Sequence, residues 1–147
     1  METVIQQLEN IVDTYSAKFL NFTEAELSHK SAADKWSRKE IIGHLVDSAQ
    51  NNIRRFVVTQ YQATPQIVYA QDNWVSIQNY QHYNSKDLIT LWVLLNRHIV
   101  VILKNMPPTK YQLQCNTGKA QEELHSIEFL AQDYITHHLH HLKQIEQ

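Results

Sequence analysis

The stretch Asp133-Tyr-Ile-Thr-His-His-Leu-His-His-Leu-Lys-Gln-Ile145 holds four of the chain's nine histidines. Together with the residues before it, it forms one seam. Ile127, Leu130, Tyr134, His137 and His141 recur at steps of three or four, the period of an amphipathic helix. His137 and His141 therefore prolong an apolar face. Residues at i and i+4 on a helix lie about 5–6 Å apart at Cβ, close enough for two imidazoles to reach one metal ion. The HExxH helix of metalloproteases uses the same spacing, but here no glutamate follows His137. His138 falls at the edge of the seam. His140 falls on the opposite face, in line with Asp133 and Thr136.

Working outward, glycine and proline are nearly absent from four long segments, which marks them as helical because both residues punctuate. The first runs from Glu2 to about Asn21, with Val4, Leu8, Ile11, Tyr15 and Phe19 on one face. The second, Ser37 to about Gln60, opens on the capping box Ser37-Arg-Lys-Glu40 and carries Ile41, Leu45, Ser48, Asn52 and Phe56 as a stripe. The third is capped by Ser85 and runs to about Met106, where Pro107-Pro108 stops it. The fourth begins between Ala120 and Ser126 and ends near Ile145. Asn21–Trp36 reads as a loop with room for one helical turn at the capping box Thr23-Glu-Ala-Glu26. Tyr61–Asn84, roughly 24 residues with Pro65 inside it, is long for a structureless link and is expected to be functional or to carry a short element. No segment is assigned as strand, although Tyr111–Cys115 can be extended. The fold expected is all-α: a four-helix bundle in one domain over residues 1–147.

His44 brings the second helix into the same argument. It follows Ile41 by three residues and precedes Ser48 by four, so it sits on the inward stripe. A lone inward histidine is ordinarily a packed imidazole. Three of them need partners for six ring nitrogens, and one ion satisfies a nitrogen of each ring at once. His44 lies roughly 10 Å into its helix, and His141 about one turn from the end of its own. They meet only if those two helices are antiparallel. A plain up-down-up-down bundle would hold them on the order of 20 Å apart. The expected order is therefore up-down-down-up, with Tyr61–Asn84 as the lengthwise crossover.

Composition removes several function classes. Gly43 and Gly118 are the only glycines, too few for a dinucleotide or Walker-type phosphate loop. A net charge of −2 gives no basic field for nucleic acid or an anionic membrane. Cys115 is the single cysteine, which excludes an internal disulfide and suits a reducing cytoplasm. Met1–Asn10 lacks the basic flank and apolar run of a signal peptide, and Leu88–Leu95 is too short to span a bilayer. The third helix is apolar on more than one face, as in Leu91, Val93, Leu94 and Val101, so a homodimer is expected.

The segments Lys35-Trp-Ser-Arg-Lys-Glu-Ile-Ile-Gly-His-Leu-Val-Asp-Ser48 and Asp133–Ile145 resemble the two signature segments of the DinB/YfiT-like superfamily. The resemblance implies a four-helix bundle, often dimeric, with three histidines on a divalent metal, zinc or nickel. By position the ligands would be His44, His137 and His141. It further implies either a thiol S-transferase using a low-molecular-weight thiol or a metal-dependent hydrolase, acting on a small molecule; the other reading is a non-catalytic dimeric bundle with a structural or vestigial metal site. An ion with three histidine ligands keeps a fourth position open, and either reaction can use it. No catalytic acid or base stands out. Asp47 and Asp133 are candidates to orient a ligand ring. Trp36, Tyr80, Tyr83 and Asn84 are candidates to line the substrate mouth.

Overall fold

The computed structural model describes all residues, Met1–Gln147. Four long helices, α1 (Glu2–Asn21), α3 (Arg38–Val58), α5 (Ser85–Asn105) and α6 (Ile127–Glu146), make the bundle. Two short ones, α2 (Glu24–Ser28) and α4 (Gln71–Gln78), lie in the connections, with single 3-10 turns at Tyr80–His82 and Pro108–Lys110. A small antiparallel hairpin, β1 (Gln114–Asn116) with β2 (Leu124–Ser126), precedes α6.

The directions of the helices follow from which ends touch. Near the end of α1, Lys18 pairs with Glu146 at the end of α6 at 2.6 Å. Phe19 meets Trp92, near the start of α5, at a ring separation of 5.0 Å, while Glu9 pairs with Lys104 at the end of α5. Arg38, which opens α3, donates from Nε to the Ile145 carbonyl at 2.8 Å. So α1 and α6 run one way, and α3 and α5 the other. Because α3 and α5 are parallel, the chain between them must return along the bundle. It does so through α4 and the turn at Tyr80–His82. The start of this crossover is stitched to the hairpin: Ile67 N–H donates to the Asn116 carbonyl and Asn116 N–H to that of Pro65, each at 2.9 Å.

The capping boxes at Thr23 and Ser37 are both formed. Three local features differ from the sequence reading. Asn84, not Ser85, caps α5: its side chain accepts from Asp87 N–H at 3.1 Å, while the Ser85 hydroxyl donates to Glu24 Oε2 at 2.5 Å. Two three-residue strands pair where no strand was assigned. α3 ends at Val58, two residues early, with Thr59 buried at its C-cap.

The interior is one apolar cluster. Leu8, Phe19, Leu45, Phe56, Trp92 and Leu142 are fully buried in it. On α5, Leu94 and Val101 stay more than half exposed (57% and 52%). No helix is long and apolar enough to cross a membrane.

Gly43 shows how tightly the crossover seats on α3. A Cβ built there would lie 2.1 Å from Cδ2 of Tyr80, whose ring is buried and cannot swing aside. Gly43→Ala is therefore expected to destabilise the protein by about 1–3 kcal/mol, the usual range for overpacking. Urea unfolding checks this, and an unchanged midpoint would mean that the crossover gives way freely.

Candidate metal centre

The start of α3 and the last turns of α6 bring His44, His137 and His141 together. Each offers a ring nitrogen, and these atoms lie within 4.8 Å of one another. Nε2 of His44 is 3.0 Å from Nε2 of His137. The three rings pack edge to face, with centroids 4.6–5.0 Å apart. Four-coordinate zinc with Zn–N bonds of about 2.0–2.1 Å sets ligand nitrogens about 3.3 Å apart, so the His44–His137 spacing is already near that of a shared ion. On His141, Nδ1 faces the Gln144 carbonyl oxygen Oε1 at 2.8 Å. Nδ1–H donates there, which leaves Nε2 of His141 as the lone-pair nitrogen. The donor set is three imidazoles and no carboxylate, which fits a divalent ion with one position to spare.

Burial keeps these rings neutral. It is the largest cause holding His44 down to about 3 and His137 to about 4, with repulsion from neighbouring imidazoles adding to it. Burial also lowers His141, opposed by its bond with Gln144. A neutral ring is the form that can ligate a metal.

His138 differs from its neighbours. It is fully buried, its Nε2 accepts from the Trp92 indole N–H at 3.3 Å, and its Nδ1 faces the Tyr134 carbonyl at 3.3 Å. Both nitrogens are satisfied by protein, and the residue belongs to the core. His140 is exposed beside Gln144.

The other candidates separate. Trp36 stands over His44 at a ring separation of 5.0 Å and lines two adjoining clefts of about 400 and 460 Å³ that share Asp34, Lys35 and Asp72. Asp47 is fully buried, and its Oδ1 accepts from the Tyr80 hydroxyl at 2.5 Å and from Gln78 Nε2 at 2.6 Å. Burial raises its carboxyl above the usual range, and these two bonds oppose the rise. Tyr80 is thus committed to Asp47. Asn84 is committed to capping α5, and Tyr83 shares with it a separate cleft beside Glu24 and Lys39. Asp133 is exposed and makes no hydrogen bond to His137. Glu40 is held by its capping box and by Lys30 at 2.8 Å. Sequence reasoning missed Gln144. Its signal was the i, i+3 relation to His141.

Histidines kept neutral by folding make the protein acid-sensitive. Unfolded, these rings take up protons as pH falls through about 6.5; folded, His44 and His138 do so only near 3 and His137 near 4. The unfolded state binds more protons in that window, so stability is lost as pH falls from about 6.5 toward 4. Each ring contributes a slope of up to about 1.4 kcal/mol per pH unit. Urea midpoints of metal-free protein at pH 7, 6 and 5 should decline, and His44→Gln should flatten the decline by about one ring's share. An equally steep decline in the variant would show that His44 charges freely in the folded protein.

No curated protein matches the chain in sequence. Among solved structures, it superposes on YfiT from Bacillus subtilis, described as a probable metal-dependent hydrolase with an unusual four-helix bundle topology. The TM-score is 0.88 at 20% identity, over 99% of this chain and 83% of that one. It also superposes on the mycothiol-dependent maleylpyruvate isomerase, with a TM-score of 0.77 at 14% identity, over 96% of this chain but only 59% of that one. At these identities the likeness is one of fold. The sequence pattern of the DinB superfamily, in turn, matches residues 7–145 and so takes in both helices that carry the three-histidine cluster. The chain belongs to the DinB superfamily.

Proposed function

We propose that this protein is a divalent-metal-dependent enzyme that transfers a low-molecular-weight thiol to a small electrophilic substrate. His44, His137 and His141 would hold the ion, with zinc or nickel as the metal. The observation that carries this reading is the convergence of three neutral imidazoles with no carboxylate against them. No carboxylate belongs to the cluster, so the proton of the nucleophile must be lost at the ion itself, which a thiol does more readily than water. The chemistry such an ion supplies is stabilisation of a deprotonated thiol or water, so thiol transfer suits a site without a base.

The chain's own residues have definite tasks in this scheme. Gln144 fixes the tautomer and tilt of His141 through its 2.8 Å bond. Trp36 covers one face of His44 and limits water there. Lys30 keeps the Glu40 carboxylate engaged at 2.8 Å. The cleft beyond Trp36 offers both signs of charge, Lys35 against Asp34 and Asp72, to a small polar substrate. Hydrolysis is the second reading, because YfiT carries that description. The exposed Leu94 and Val101 on α5 further suggest a homodimer.

Elemental analysis of untagged protein is expected to give about one ion per chain. Thiol consumption should be measured with glutathione and bacillithiol against several electrophiles, with ester hydrolysis in parallel. Thiol loss that depends on the ion supports transfer, and ion-dependent hydrolysis alone would favour the second reading. A bound ion with neither activity would make the site structural. His141→Ala should lose the ion while keeping its helical circular dichroism. Full metal content in that variant would mean the ligands are misassigned.

A further inference from the structure

Five buried polar atoms find no hydrogen-bond partner, and four of them belong to one seam: His44 Nδ1, Asp47 Oδ2, Asn51 Oδ1 and His137 Nδ1. On α3, His44, Asp47 and Asn51 stand at i, i+3 and i+7, one face of the helix, and His137 meets that face from α6. Native proteins rarely leave such atoms unpaired. The four are also complementary in kind. With Nε2 of His44 and of His137 turned toward a common centre, the ligating tautomer carries its proton on Nδ1. The seam then contains two donors lacking acceptors and two acceptors lacking donors.

We propose that Asp47 is a positioning residue for His44: its Oδ2 accepts, through one buried water, from the imidazole Nδ1–H and so fixes the ring that presents Nε2 to the ion. This rests on the reading that His44 holds a metal. Three features of the site support it. Asp47 is the one fully buried carboxylate of the chain, so no other acid competes for the task. Its rotation is fixed, because Tyr80 and Gln78 both occupy Oδ1 at 2.5 and 2.6 Å and leave Oδ2 for a further donor. A site of three neutral imidazoles also leaves a divalent charge unbalanced, and an anion one helical turn from His44 offsets it. Asn51 Oδ1 is a further unpaired acceptor on the same face of α3. The competing role for Asp47 is purely architectural, seating the crossover through Tyr80.

The two roles separate in Zn²⁺ affinity measured by competition with a chromophoric chelator. Asp47→Asn keeps an oxygen for Tyr80 and Gln78 but turns an amide toward the donor. It should weaken Zn²⁺ binding about 10–100-fold, whereas Tyr80→Phe, which spares Oδ2, should weaken it less than about 3-fold. Wild-type affinity in Asp47→Asn, or an equal loss in both variants, overturns the proposal. A wild-type chain that takes up no Zn²⁺ instead overturns the metal reading itself, and this inference with it. If Asp47→Asn fails to fold, an atomic-resolution structure of the Zn²⁺-loaded wild type decides. A water within hydrogen-bonding reach of both His44 Nδ1 and Asp47 Oδ2 supports the assignment, and His44 Nδ1 bonded to any other group refutes it.

Discussion

The approach of His44 Nε2 to His137 Nε2 at 3.0 Å is compatible with only one arrangement of the helices. It joins a residue near the start of α3 to one near the end of α6, so those helices must be antiparallel. The Arg38–Ile145 contact at the same end agrees. With α1 parallel to α6 and α5 antiparallel to α1, α5 runs parallel to α3, and the link between α3 and α5 must travel the length of the bundle. That link then supplies Asp72, Val75 and Tyr80 around the site end of α3. Helix direction, the crossover and the cleft are one arrangement, and it is the one in which the imidazoles can meet.

Adjacent histidines in this protein illustrate two ways to manage a buried ring. His138 is satisfied by the protein alone, with an indole N–H on one nitrogen and a carbonyl on the other. The same region holds a closed polar chain, in which the Tyr134 hydroxyl donates to Asn96 Oδ1 at 2.7 Å and Asn96 Nδ2 to the Trp92 carbonyl at 2.8 Å. His44 and His137 are the opposite case: buried or half-buried, kept neutral, and with Nδ1 unpartnered. Leaving such atoms orphaned in a core is costly, so each Nδ1–H calls for an acceptor on the side of its ring away from the shared centre. Burial alone would not have distinguished the two kinds.

The four long helices could be read from the sequence because glycine and proline leave them alone and their apolar residues keep a period near 3.6. The three-histidine cluster could be read because His137 and His141 continue such a period while a capping box fixes where His44's helix begins. The partners of Asp47 could not. Gln78 and Tyr80 come from the crossover, 31 and 33 residues away, and nothing local encodes that return. α4 has no side-chain cap and few apolar residues to mark it. The hairpin strands are three residues each, too short for an alternating pattern, and owe their place to backbone bonds with the crossover and with α6.

That hairpin lies at the other end of α6 from the histidine cluster. Its turn is tight at Gly118, where a Cβ would fall 1.8 Å from the Gln121 carbonyl oxygen, but Lys119–Glu123 is exposed throughout. About 15 Å of helix separates Ile127 from His137. A fluorophore or affinity peptide grafted into that exposed turn would ride on the folded body without offering a rival set of ligands to the imidazoles.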